Sequence, residues 1–400
     1  MKILLVHNFY GSEAPSGENM VFEAEKSLLR DYGHEVVEYA RHSDEIRGQG
    51  VWGMLKGAAS VPWSPFSARD LQKVLKREKP DVMHVHNSFP MLSPSIYYAA
   101  QSTNTASVLT LHNYRLFCAA GIPLREGQSC TLCLDQRSVM PAMKYGCYRG
   151  SRMATLPLAA SIALHRAIGT WDNQVDAFIS LTGFQRDTMV NAGLPSEKVH
   201  VKPQFYADPP QPEPWGKRRD KVVFIGRLGE EKGVRYLIDA WSQWGDSAPE
   251  LEIIGDGPQS EMLKDLASKS SNIHFLGQIP FEKAQRKLAN AKLLVVPSIW
   301  FEGFPMVIRE AFALGVPVAA SRLGSMASLV RDDENGVFFE PGSTDDLLRS
   351  VRSAWLDQTK LERMGKKARA IFDKEYTAET NHGLLINIYE QAISRRREVI

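Results

Sequence analysis

The sequence predicts two doubly wound α/β domains joined by a stiff linker, on three observations. Short Ile/Leu/Val runs alternate with stretches of helical periodicity along the whole chain, the pattern of βαβ units in a mostly parallel sheet. The alternation is interrupted once, by five prolines between Pro203 and Pro214, a density no helix or strand interior tolerates. The chain has 400 residues, which at roughly 150 residues per domain leaves room for two domains and their connections.

The elements follow in order. Lys2–His7 is an unbroken apolar run, suited to a strand covered on both faces. Met20–Asp31 has helical periodicity and Gly33 stops it; Val36–Ala40 reads as the second strand. The helix Ala68–Glu78 ends at Pro80, and Asp81–His86, Ser107–His112 and Ala177–Thr182 read as further strands. After the prolines the strands are Lys221–Ile225, Leu251–Ile254, Ile273–Leu276, Leu293–Val296, Val316–Ala320 and Gly336–Phe339. Between them lie the helices Val234–Trp244, Gln259–Lys269, Lys283–Ala289, Met306–Leu314 and Thr344–Asp357, and two helical stretches close the chain. The expected domains are 1–202, with a cysteine-containing insertion at 116–150, and 218–375, with the linker at 203–217. A final helix at 376–400 is open to packing back on the first domain. Ligands of such sheets bind outside the carboxyl ends of the strands, which places the expected site in a cleft between the two domains.

Composition excludes several classes. Apolar residues at 44% and charged residues at 24% are a globular balance, not a disordered one. The 48 Lys+Arg against 46 Asp+Glu give a net charge of +2, without the basic excess of a nucleic-acid binder. The apolar start is too short for a signal peptide, no apolar run is long enough to span a bilayer, and four cysteines are too few for a disulfide scaffold. The expectation is a cytoplasmic protein.

The densest functional signal is Phe301-Glu302-Gly303-Phe304-Pro305-Met306-Val307-Ile308-Arg309-Glu310-Ala311. It follows the buried run Leu293–Val296. Gly303 lets a ligand approach the backbone, and Pro305 opens a helix whose free N–H groups and positive end form an anion site. Glu302 precedes that helix and Glu310 lies inside it, so two carboxylates bracket a phosphate whose substituents both carry hydroxyls. Phe224-Ile225-Gly226-Arg227-Leu228-Gly229-Glu230-Glu231-Lys232-Gly233 ends another strand of the same domain. There Arg227 supplies a planar fork and Lys232 a mobile charge for phosphate oxygens.

Gly-Arg-(four residues)-Lys-Gly, followed about seventy residues later by Glu-Gly-Phe-Pro-(four residues)-Glu, resembles the GT-B fold glycosyltransferases, specifically retaining glycosyltransferase family 4. The resemblance covers nearly the whole chain. It implies a GT-B architecture, two Rossmann-like domains facing a central cleft, with 1–202 on the acceptor side and 218–375 binding the nucleotide sugar. It implies that Arg227 and Lys232 hold the donor diphosphate, with Gly226 at the strand end. Glu302, Gly303 and Phe304 then meet the donor sugar, and Glu310 the ribose. The N–H groups of Met306 and Val307, after Pro305, meet the pyrophosphate. The family's Gly-rich loop before the first helix appears here as Pro15-Ser16-Gly17-Glu18-Asn19, one glycine fewer, leaving Gly17 to reach the diphosphate. A histidine at the strand end before Asn113-Tyr114-Arg115 positions the donor sugar in the family, a role that falls to His112. His84 and His86 lie two apart on a strand; a metal pair and a hydrogen-bonded strand end are both open, the second preferred.

The four cysteines, Cys118, Cys130, Cys133 and Cys147, gather within thirty residues. A Cys-x-x-Cys pair with two further cysteines nearby matches a structural zinc site, the remaining readings being a redox pair or four unlinked thiols. The surrounding Phe117–Gln136 reads as a loop with few apolar residues that needs a staple. Lys144–Trp171 mixes Lys144, Arg149, Arg152 and Arg166 with Met153, Leu156, Leu158, Ile162, Leu164 and Ile168. It reads either as a helix packed on the first domain with a solvated basic edge or as a peripheral contact with the inner face of a membrane.

The function expected is transfer of a sugar from a UDP- or GDP-linked donor to a hydroxyl of a saccharide or lipid-linked acceptor. The resemblance implies retention, no catalytic metal, and a role in surface polysaccharide or glycolipid synthesis. The rivals are a GT-B sugar-nucleotide epimerase and a non-catalytic nucleotide-sugar-binding subunit. A nicotinamide dehydrogenase is disfavoured: no Gly-x-Gly-x-x-Gly follows the first strand, and Gly255-Asp256-Gly257-Pro258 fails at the third glycine.

Overall fold

The computed structural model describes residues 1–9, 17–47 and 50–398. The chain forms two compact units, one of Met1–Pro123, Thr131–Pro203 and Asn381–Ile400, the other of Leu124–Cys130 and Gln204–Thr380. The strands begin with β1 (Lys2–Phe9), β2 (Glu35–His42), β3 (Val82–Asn87) and β4 (Ala106–Thr110). A hairpin of β5 (Leu124–Arg125) and β6 (Gln128–Ser129) follows, then β7 (Ala177–Ser180) and β8 (Val199–Val201). All but the hairpin form one parallel sheet in the order β2-β1-β3-β4-β7-β8. The order reverses between β1 and β3, so the loops leaving those two strands diverge and open a crevice at their carboxyl ends.

One face of this sheet shows why the apolar runs are continuous. Ile3, Leu5, Val82, Val108, Ala177 and Ile179 pack with Phe22 and Leu29 of the helix Gly17–Asp31. They also pack with Leu385, Ile388, Tyr389 and Ala392 of the last helix, Ala378–Glu398. The C-terminal helix therefore completes the core of the first unit.

The second unit repeats the scheme with β9 (Lys221–Ile225), β10 (Glu250–Ile254), β11 (Ile273–Gly277), β12 (Leu293–Val296), β13 (Val318–Ser321) and β14 (Gly336–Phe339). They form a parallel sheet in the order β11-β10-β9-β12-β13-β14, which reverses between β9 and β12. Alternate residues enter different cores. Val222, Phe224, Leu251, Ile253, Leu293 and Val295 face one layer of helices, and Val223, Ile254, Leu294 and Val296 face the other.

Several expected elements shift. β13 starts at Val318 rather than Val316, because Pro317 has no N–H for the ladder. β4 stops at Thr110, leaving His112 on the loop beyond. Lys144–Trp171 is split into Met140–Tyr145, Arg152–Ala167 and Thr170–Asn173, with Gly146, Gly150 and Gly169 at positive φ at the breaks. The segment Phe117–Gln136 is not a coreless loop: Phe117, Ala119, Cys133 and Leu134 are buried, and Ala119 and Cys133 pack with Ala142, Leu158, Ile162 and Val61. No helix among the described residues is long and apolar enough to cross a membrane.

Candidate functional site

In the second unit the predicted anion residues lie on the two loops that leave β9 and β12, the strands flanking the topological reversal. The β9 loop is held by close backbone packing. A Cβ on Gly255 would meet the Gly226 carbonyl oxygen at 1.9 Å, and one on Gly257 the Leu228 carbonyl oxygen at 2.6 Å. The glycines that failed as a dinucleotide fingerprint therefore seat the Gly226–Leu228 segment. Gly233, at φ 65°, ends the loop against the Pro297 carbonyl, where a Cβ would come within 2.0 Å. Only glycine lets the loops after β9 and β12 meet there.

That contact brings Lys232 to Glu302. The Lys232 Nζ donates to Glu302 Oε1 at 2.6 Å, and the Ser298 Oγ donates to the same oxygen at 2.7 Å. Glu302 is 6% exposed, so its charge is held by those two donors rather than by water. Arg227 is two-thirds exposed and 3.8 Å from Glu231, free to reorient toward a ligand. The Trp300 Nε1, beside this pair, is buried without a hydrogen-bond partner, and Lys232 Nζ lies 5.9 Å from the Trp300 ring. Trp300 escaped the sequence reading; its position between two recognised loops was the available signal.

The helix Met306–Ala313 starts after Pro305 with no side-chain cap, so its first N–H groups point outward unpaired within the helix. The Gly303 carbonyl accepts from Ser325 Oγ at 3.1 Å, fixing the turn, and Phe304 packs edge-on to Tyr376 at 6.1 Å. Glu310 lies one turn inside the helix, buried, with Oε2 accepting from Gln285 Nε2 at 2.8 Å. Burial and the Glu310 charge push the nearby Tyr206 hydroxyl up to about 12.

In the first unit, Pro15 and Ser16 lie outside the described residues; Gly17 begins the first helix. Glu18 Oε1 accepts from Asn113 Nδ2 at 2.9 Å, which ties the start of this helix to the loop carrying His112. His112 Nε2 sits 3.1 Å from His86 Nδ1. Behind His86 lies a sealed cluster unforeseen from the sequence. Glu25 Oε1 is 3.2 Å from His86 Nε2 and 3.0 Å from His84 Nδ1, at ion-pair distance but off hydrogen-bond alignment. Glu25 Oε2 accepts from Lys202 Nζ at 2.9 Å, and Lys202 also donates to Asn381 Oδ1 at 2.9 Å. His84 is hydrogen-bonded at both ring nitrogens, to Tyr389 and Thr110.

The protonation states follow. Burial alone would raise the Glu25 carboxyl, but Lys202 and the two histidines hold it well below the usual range. Burial, with the neighbouring His84, lowers His86 to about 4, and burial lowers His112 well below its ordinary value. A bare nitrogen facing the Glu25 carboxylate would be repelled, which assigns the His86 proton to Nε2. His86 Nδ1 is then the acceptor and His112 Nε2 the donor, which leaves His112 Nδ1 as an acceptor.

Metal placement is constrained by the same cluster. The ligand atoms of Glu25, His84 and His86 lie within 4.8 Å of one another. The Lys202 ammonium already balances Glu25 there, and both His84 nitrogens are engaged. The four cysteines are all thiols, but Cys130 belongs to the second unit and Cys118, Cys133 and Cys147 to the first. They form no group of three at ligand spacing among the described residues, and burial pushes the Cys118 thiol up to about 12.

Two doubly wound units, one with cationic loops and a helix start at its strand reversal, have the architecture found in nucleotide-sugar enzymes. The model for Glycosyltransferase Family 4 matches residues 17–205, and that for glycosyl transferases group 1 matches 208–371. An uncharacterized glycosyltransferase of Methanocaldococcus jannaschii is 23% identical over 375 residues, 90% of this chain and 88% of its own. Sulfoquinovosyl transferase SQD2 of Arabidopsis thaliana is 25% identical over 90% of this chain and 68% of its own. Among solved structures, Anabaena HepE in complex with UDP-glucose covers all of both chains with a TM-score of 0.64 at 18% identity. A Rickettsia africae glycosyltransferase covers 98% of each with a TM-score of 0.69 at 15% identity. The chain belongs to the GT-B fold glycosyltransferases.

Proposed function

We propose that the protein transfers a sugar, with retention of anomeric configuration, from a UDP- or GDP-linked donor to an acceptor hydroxyl in surface polysaccharide or glycolipid synthesis. The observation that carries this reading is the Lys232–Glu302 pair at the β9/β12 reversal, beside the open start of the helix Met306–Ala313. Charge develops on the diphosphate as the sugar leaves. Arg227, Lys232 and the N–H groups of Met306 and Val307 stabilise it, where fixed donors act most strongly. Glu302, with the backbone at Gly303 and Phe304, orients the sugar, and Glu310 binds the ribose hydroxyls. In the first unit, Gly17 approaches the diphosphate and His112 offers Nδ1 to a sugar hydroxyl. The acceptor enters the cavity lined by His86, Phe89, His112, Arg115 and Trp171. The HepE structures contain UDP and UDP-glucose, which favours a UDP donor here.

The test is a panel of UDP- and GDP-sugars, following nucleoside diphosphate release and the anomeric signal of the product. Release that depends on acceptor, with the donor's configuration kept, is expected. Interconversion of donor without release would make the protein an epimerase, and tight binding without turnover a binding subunit.

A further inference from the structure

From Gln136 to Trp171 the chain contains no Asp or Glu, while it carries Arg137, Lys144, Arg149, Arg152 and Arg166. The structure separates these charges. Arg137 Nε donates to the Asn191 carbonyl, and the Arg166 guanidinium lies 4.8 Å over the Phe117 ring. Lys144, Arg149 and Arg152 are exposed, and none has a carboxylate partner among the described residues. Lys144 and Arg149 lie over the rings of Tyr145 and Tyr148, and Arg152 Nε donates to the Lys144 carbonyl, so the three cations gather at the junction of two packed helices.

The helix Arg152–Ala167 buries Thr155, Leu158, Ala159, Ile162 and His165. Its outer face is apolar as well. Met153, Leu156, Ala160, Ala163, Leu164 and Ala167 are all exposed at helical spacing, Met153 at 80%. Met140, 68% exposed, and Tyr145 extend the patch on the neighbouring helix. A helix facing water carries charge on its outer side; this one carries Arg152 at its start and Arg166 at its end, the latter over the Phe117 ring. An apolar stripe with a basic cluster at one end is an arrangement that lies in a lipid headgroup layer.

We propose that this face of the first unit docks on an anionic bilayer surface, the apolar side chains at the acyl boundary and Lys144, Arg149 and Arg152 on lipid phosphates. Charge selects this occupant. A second copy of the chain presenting the same segment would add three more cations and no carboxylate, because residues 136–171 contain no Asp or Glu. Each cation near an anionic surface contributes roughly a five-fold gain in partition.

Flotation of the full chain with vesicles tests this without donor or sugar acceptor, so the outcome does not depend on the transferase reading. The protein should float with phosphatidylcholine vesicles containing phosphatidylglycerol and not with phosphatidylcholine alone, and raised salt should release it. Lys144→Glu with Arg152→Glu should lower partition at least ~25-fold. Met153→Glu with Leu156→Glu should abolish flotation with an unchanged thermal midpoint, because both side chains are exposed. Arg235→Glu, an exposed charge of the second unit, is the control and should change little. No flotation of wild type on anionic vesicles overturns the proposal, as does an equal loss in the Arg235→Glu control. Concentration-dependent self-association lost in the Met153/Leu156 variant, without vesicle binding, assigns the face to a second copy.

Discussion

Each unit contains a lysine–glutamate pair near its strand reversal, and the two pairs differ in what surrounds them. Lys202–Glu25 in the first unit is sealed, with both side chains 1% exposed. Its remaining valences go to Asn381, His84 and His86. Lys232–Glu302 in the second unit is open on one side, the lysine 23% exposed and the glutamate 7%. A sealed pair repays its desolvation only while every partner stays in place, so it specifies structure. An open pair keeps its ammonium available to a second anion, so it serves binding.

Acid should separate the units most. Nine of the ten histidines lie outside the second unit, which has only His274. His7 and His86, both buried, are lowered to about 4. Such groups bind fewer protons folded than unfolded between about pH 6.5 and 4. Their contribution to stability is therefore complete above that window and lost as pH falls through it, at about 1.4 kcal/mol per pKa unit for each. Glu25, held low, gives a further loss in stronger acid. Calorimetry should show the first unit's transition falling between pH 6.5 and 4 while the second unit's holds; parallel decline would remove the contrast.

Next in size is the sealed pair itself. Lys202→Met leaves an uncompensated carboxylate in the core and should cost about 3–5 kcal/mol by denaturant titration. Adding Glu25→Leu should recover a large part of that loss. Equal loss in both variants would show packing, not charge, to be the cause.

The open pair should behave in the opposite way. Lys232→Ala should lower turnover at least ~100-fold, about 3 kcal/mol of transition-state stabilisation, in a protein that still folds. Arg227→Ala should match it, because Arg227 is mostly exposed and, among the described residues, its one near carboxylate, Glu231, is at 3.8 Å. Wild-type turnover in either folded variant would remove that residue from the diphosphate site.

The smallest effect divides the two carboxylates. Glu310→Ala should weaken binding of the free nucleoside diphosphate by ~1.5–3 kcal/mol, whereas Glu302→Ala should spare it and slow transfer. Calorimetry giving the reverse order would exchange their roles.

Much of the second unit's site was legible because its determinants are local. A buried run, a glycine, a cation and a proline-started helix are written in consecutive residues, and their chemistry depends on neighbours a few positions away. Glu25 was not legible, although it sits on the helix face of Val21, Phe22, Leu28 and Leu29, where a charge calls for an explanation. Its partner Lys202 is 177 residues away, and no local pattern joins them. The cysteines show the converse: closeness in sequence suggested a common ligand set, while the group of three at ligand spacing among the described residues is Glu25, His84 and His86.

The sequence by itself determined the two parallel sheets, the place of the break between them, and the glycosyltransferase motifs, because apolar periodicity and turn residues act over a few positions. Tertiary structure alone decided which loops meet at Gly233 and Pro297, that His112 meets His86, and which helix closes the first core. Those outcomes depend on strand order and on charges that must find partners once water is excluded, and neither quantity is encoded by neighbours along the chain.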